Sequence, residues 1–140
     1  MAALTNYTEN NLINALFRTA AFIKPTTLYV GLITAVTNGE TGSVTEVLAT
    51  ATGYARVARA VVDANWVDST ALNDGTTSNV AVIQFPAATA DWGTVTHFGI
   101  WNAATAGDLL IYAPLNPSRT ITNGTTPSFG ANALTFQIDN

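Results

Sequence analysis

The change of hydrophobic period near Pro25 constrains this chain more than any other feature. Before it, Leu12, Ile13, Leu16, Phe17 and Ala20 recur at helical spacing and form one apolar stripe over about three turns. Asn6 followed by Glu9 has the pattern of a helix cap close to a capping box, so the spacing predicts a helix over about 6–20, which Pro25 helps to end. After it the period falls to 2, and the rest of the chain reads as strands.

"TLYVGLITA" (27–35) is rich in β-formers, with Leu28, Val30, Leu32 and Thr34 on one face and Tyr29, Gly31 and Ile33 on the other, the pattern of a strand buried on both sides. Residues 37–53 carry two glycine-containing turn signals and read as a long, irregular connection. "GYARVARAVV" (53–62) is a strand with Arg56 and Arg59 on opposite faces, and "SNVAVIQFP" (78–86) is a strand closed by proline. "GTVTHFGIWN" (93–102) and "DLLIYAPL" (108–115) flank the short loop "AATAG" (103–107) and predict a hairpin. "RTIT" runs into the turn dipeptide Asn123-Gly124, and "ANALTFQID" (131–139) alternates once more through Leu134, Phe136 and Ile138. Roughly six to eight short strands of this kind imply an all-β fold, an antiparallel β-sandwich or jelly-roll-like domain with one N-terminal α-helix packed outside. No period of a repeat and no linker interrupts the chain, so residues 1–140 are expected to form one domain.

That domain is unusually poor in charge: 10% of residues are Asp, Glu, Lys or Arg, against about 25% in a typical soluble domain. Interface cores are depleted of Lys, Glu and Asp, so low charge with a mean hydropathy of +0.25 favours a protein that works in an assembly. The net charge of -4 and the scattering of Arg18, Lys24, Arg56, Arg59 and Arg119 argue against a nucleic-acid partner. The start of the chain has no basic n-region followed by an unbroken apolar run, so no secretory signal is expected, and no stretch offers the roughly 20 mostly apolar residues of a membrane span.

"DWGTVTHFGIWN" (91–102) concentrates rare residues, including the only histidine, His97, and two of the three tryptophans. Asp91 and Asp108 are candidates to orient His97, but the chain has no Gly-x-Ser-x-Gly elbow to supply a nucleophile. The alternative is a half-exposed strand histidine sharing a face with Val95, Gly99 and Trp101. One histidine and no cysteine cannot make a usual zinc site, and Asp63, Asp68 and Asp74 do not have the spacing of a calcium loop. Gly39 and Gly42 lack the Gly-Lys-Ser/Thr ending of a phosphate loop. No catalytic, cofactor or metal residue is therefore assigned. Trp66, Trp92 and Trp101 remain as binding candidates, either as a carbohydrate platform, as interface anchors or as core.

"LTNYTENNLINALF", "TTLYVGLITA", "GYARVA", "FPAATADWGTVTHFGIWNAATAGDLLIYAPL" and "NGTTPSFGANALTFQI", in this order, resemble a family of small tailed-phage virion proteins. Members are often labelled tail fibre proteins, and some look like capsid decoration (cement) proteins. The resemblance implies a non-enzymatic virion protein, made in the host cytoplasm, without cofactor. A fibre needs length from a coiled coil or a repetitive shaft, and the chain has neither heptads nor repeats. The expectation placed first is therefore a cement protein on the head surface that bridges the major capsid protein, with a tail fibre or baseplate component touching the host surface as the alternative. A closed homo-oligomer is expected, a trimer before a dimer. Its expected contacts are Leu4, Tyr7, Leu12 and Phe17 on the N-terminal arm and helix, the loop 103–107, and Trp92 and Trp101 if these face a neighbour; the helical stripe is either such a contact or ordinary core packing.

Overall fold

A computed structural model describes residues 2–71 and 75–138, and the β-rich sandwich with its single α-helix is what it shows. In chain order the elements are β1 (Ala3–Leu4), α1 (Asn6–Phe17), β2 (Thr27–Asn38), β3 (Ser43–Glu46), β4 (Val57–Ala60), β5 (Thr76–Ser78), β6 (Ile83–Gln84), β7 (Gly93–Trp101), β8 (Leu109–Ile121), β9 (Ser128–Phe129) and β10 (Thr135–Gln137). All pairings are antiparallel. The large sheet runs β1-β8-β7-β2-β3, and the first half of β2 pairs with β4 on the side where its second half pairs with β3. Two small ribbons, β5 with β10 and β6 with β9, stand apart from it.

The core forms where these ribbons meet one face of the large sheet, through Val30, Leu32, Phe98 and Ile100 against Phe85 and Phe136. Ring pairs tie the layers together, with Phe98 edge-on to both Phe129 and Phe136. A second cluster, Ile33, Trp101 and Leu109 with Tyr29 and Tyr112 packed around it, covers the opposite face. β2 is thus buried on both sides from Val30 to Ile33, as its unbroken apolar run requires.

The hairpin of β7 and β8 forms as its sequence predicts, but five other local expectations are corrected. The helix ends at Phe17 rather than near residue 20, because Arg18 is already extended (φ -130°, ψ 179°). Its cap position is Thr5, not Asn6, and the Thr5 hydroxyl does not cap at all: it is buried and donates to the Leu109 carbonyl at 2.6 Å. Residues 37–53 are not all irregular, since a tight turn closed by the Gly42 amide on the Gly39 carbonyl folds β3 back onto β2. "SNVAVIQFP" does not form one strand: the buried Asn79 side chain donates to the Ala81 and Gly130 carbonyls and accepts from the Leu134 amide. These bonds serve loop backbone groups, so β5 ends at Ser78 and pairing resumes at Ile83. Finally, Val95 does not share a face with His97. The register jumps from Val95–Arg119 to His97–Pro114, and this bulge turns Val95 into the core while His97 stays on the other side.

Candidate functional site

His97 sits mid-strand, opposite Ile33 on β2 and Pro114 on β8. Its Nδ1 is 2.9 Å from the Thr96 hydroxyl, its ring tilts toward Tyr112, and partial burial holds its pKa below the ordinary histidine value. The two aspartates considered as partners are engaged elsewhere. Asp91 accepts from the Asn123 amide at 2.8 Å, and Asp108 accepts from the Asn102 side chain at 2.9 Å. Asp68 accepts from the Thr70 amide and hydroxyl, which lower its pKa. Asp74 lies outside the described residues, and among those described no group of three His, Asp or Glu side chains is placed to hold a metal ion. No helix among them is long and apolar enough to cross a membrane.

The strongest polar cluster is built on Arg56, immediately before β4. Its guanidinium grips Glu46 at the end of β3 in two places, Nε to Oε1 at 2.8 Å and Nη2 to Oε2 at 2.7 Å. Its Nη1 donates to the Ala103 and Ala106 carbonyls of the hairpin loop, both at 2.8 Å, and its Cζ lies 4.0 Å from the Trp101 ring centroid. Tyr54 adds a hydroxyl that donates to Glu46 at 2.6 Å and accepts from the Leu32 amide at 2.9 Å; burial, then Glu46, push its pKa upward. Gly31 and Gly99 face each other across β2 and β7 and leave the slot in which the Trp101 indole lies. A Cβ on either would stand 2.7 Å from that ring. The cluster clamps one edge of the sheet to the 103–107 loop, whose other end is tied by the Asp108 amide to the Asn102 side chain at 2.8 Å. Its chemistry is positional: a charged pair, three backbone carbonyl or amide partners and a cation over an aromatic face hold the loop rigid.

The residues expected at an assembly surface divide. Trp101 is buried in this slot, and Trp92 is buried in the main core, edge-on to Tyr54 with its Nε1 donating to the Thr52 carbonyl at 2.8 Å. Neither ring is available to a neighbour, which corrects that expectation; the reason is that each indole packs within the chain, Trp92 against Tyr54 and Trp101 against Arg56 and the glycine slot. Leu4 is half-buried in β1. Tyr7, Leu12 and Phe17 lie on α1 and face solvent, with Ile13 and Leu16, and Phe17 is 81% exposed. The helix turns its polar and small residues inward instead: Thr8 donates to the Leu110 carbonyl at 2.9 Å, and Asn11 and Ala15 are half-buried. None of its side chains is fully buried.

Sequence reasoning missed two elements. Glu46 lies in a segment without clear periodicity, and the one sequence signal for it is Arg56 among apolar residues, a cation that needs an acceptor if it is buried. The second is a crevice of about 630 Å³ between the large sheet and the β5–β10 ribbon, walled by Leu28, Trp66, Ile111 and Phe136. Its walls come from distant segments, and among them only Trp66 stands out in the sequence as a binding candidate.

Over residues 3–137 the chain matches the family model described as "Podophage GP4 fiber I protein gp80". No curated protein matches it.

Proposed function

Because the chain belongs to the podophage GP4 fiber I protein gp80 family, whose members are phage virion structural proteins, we propose that it is a compact, non-enzymatic module of the tail fibre apparatus. The observation that carries this reading is the outward apolar face of α1, which gives a small domain an attachment surface without any shaft of its own. A rigid sandwich with its loop 103–107 clamped by Arg56 suits a part that must keep its shape while held at the end of a larger assembly. The description of the family as a fibre protein favours the tail over the head surface, the reverse of the order expected from the sequence.

The capsid-decoration reading, with the major capsid protein as partner, is supported by one observation: the described residues form a single compact sandwich and contain neither a coiled coil nor a repetitive strand array. Copy number separates the two. Quantitative mass spectrometry of purified virions should find this chain at a small multiple of the unique tail components, and antibody labelling should mark the tail. A stoichiometry near that of the major capsid protein, with label over the head, would overturn the fibre reading in favour of decoration.

A further inference from the structure

Residues 2–17 lie on the domain as an arm. β1 adds two residues to the edge of β8, at Ala3–Tyr112 and Leu4–Ile111. The Thr5 amide donates to the Leu110 carbonyl at 3.1 Å and its hydroxyl to the Leu109 carbonyl, the Thr8 hydroxyl reaches Leu110, and the Asn6 amide donates to the Glu40 carbonyl of the β2–β3 turn at 2.8 Å. Of residues 2–17 only Thr5 is fully buried, so the arm is held by hydrogen bonds along an edge more than by side chains sunk in the core. Residues 18–26 then form a strap from α1 to β2. Every residue from Arg18 to Lys24 is exposed, Phe22 by 41% and Ile23 by 88%, and among the described residues none from 19 to 25 makes a hydrogen bond. We infer that the arm is exchanged between two copies, residues 2–17 of each lying on the β8 edge of the other in a two-fold pair.

Three features favour exchange. The contacts that seat the arm are the same whichever copy supplies it, so a reciprocal swap forfeits none of them. Because they are few and lie at the surface, the arm can leave its edge without the core opening. The strap is longer than the roughly 4–6 residues usual between neighbouring elements, Pro25 keeps the backbone before it extended, and at full stretch it spans about 30 Å, enough to cross from one small domain to the next. In an exchanged pair the two straps pass each other at the two-fold axis. There the backbone groups of residues 19–24 can bond to those of the other copy, and Phe22 and Ile23, which a single domain leaves in water, bury against each other. The Thr5 and Thr8 bonds set the rotation of α1 on either sheet, so its apolar stripe still faces outward and stays free for the attachment proposed above.

The inference does not depend on whether the protein sits on the head or the tail, and its test uses the purified chain, whose sequence has no cysteine. Asn6 and Glu40 are exposed and meet through backbone atoms, so Asn6→Cys and Glu40→Cys together leave that bond in place and bring two thiols close to each other. After mild oxidation of the double variant, a denaturing gel without reductant should show a covalent dimer that dithiothreitol returns to single chains, while each single variant should stay a single chain. An internal disulfide, with both thiols consumed and the chain running as a monomer, would place the arm on its own copy and overturn the inference. Light scattering on the wild-type chain decides independently of any disulfide. It should give twice the mass of the chain, and Phe22→Ser with Ile23→Ser should shift the protein toward the monomer. A monomeric wild-type chain overturns the inference, as does a dimer whose cysteines link only within each chain.

Discussion

Replacing Arg56 with Met tests the reading of the loop clamp most directly. The side chain is 7% exposed and its partner Glu46 is 23% exposed, so removing the guanidinium strands a largely buried carboxylate whose other hydrogen bond comes from Tyr54. Breaking a buried pair from one side costs about 3–5 kcal/mol, and the remaining water access to Glu46 places this case toward the lower end. The Ala106 carbonyl is exposed and regains water and the Ala103 carbonyl is only half-buried, so their loss adds little, while the contact with Trp101 adds about 1 kcal/mol. The expected loss is about 4 kcal/mol, and at roughly 4 °C per kcal/mol for a domain of this size the melting temperature should fall by about 15 °C. Calorimetry and urea unfolding at neutral pH measure both. The double variant Glu46→Gln, Arg56→Met should recover about 1–2 kcal/mol, because the stranded charge is gone. An Arg56→Met protein within about 1 kcal/mol of wild type, or a double variant no more stable than the single one, would refute the claim that the cluster carries this energy.

Three further outcomes follow from the same geometry. Gly31→Ala places a Cβ 2.7 Å from Trp101 and from the Tyr54 hydroxyl, and should cost about 1–3 kcal/mol in urea unfolding. Asn79→Ala leaves the Leu134 amide and the Ala81 and Gly130 carbonyls without their side-chain partner, and should cost about 2–4 kcal/mol by the same measurement. His97 has a folded-state pKa below its unfolded value of about 6.5, so the unfolded chain binds more protons and stability is lost as pH falls through 6.5 toward the folded pKa. Thermal melts between about pH 7 and 5.5 should show a decline that His97→Gln removes, and an unchanged slope in that variant would assign it to another group.

The parts of this fold that could be read from the chain are those in which a single local pattern decides the outcome. The run from Val30 to Ile33 has no polar face to offer water, so it had to be an interior strand, and the 103–107 loop between two β-rich segments had to close a hairpin. The parts that could not be read depend on partners distant in sequence. Asn79 breaks a strand because Gly130 and Leu134 come to it from the far end of the chain, and neither its own propensity nor its neighbours contain that fact. Val95 leaves the face of His97 because β8 inserts extra residues opposite it, which the alternation within β7 does not record. Arg56 was visible as a charge in a strand, but its meaning came only with Glu46, a residue ten positions earlier in a segment without clear periodicity.

The helix makes the same point from the other side. Periodicity identifies an apolar stripe but is indifferent to rotation about the helix axis, so it cannot say whether the stripe faces the core or the solvent. What sets the rotation here is hydrogen bonding at the first turn: the Thr5 and Thr8 hydroxyls both reach carbonyls of β8, and Asn11 and Ala15 are half-buried while the stripe is exposed. Turning the stripe inward would bury more apolar area but would break these bonds and leave the Leu109 and Leu110 carbonyls without the threonine hydroxyls. A burial of apolar surface that the fold could have taken and does not take is available to another chain, and that is the physical basis for proposing α1 as an attachment surface.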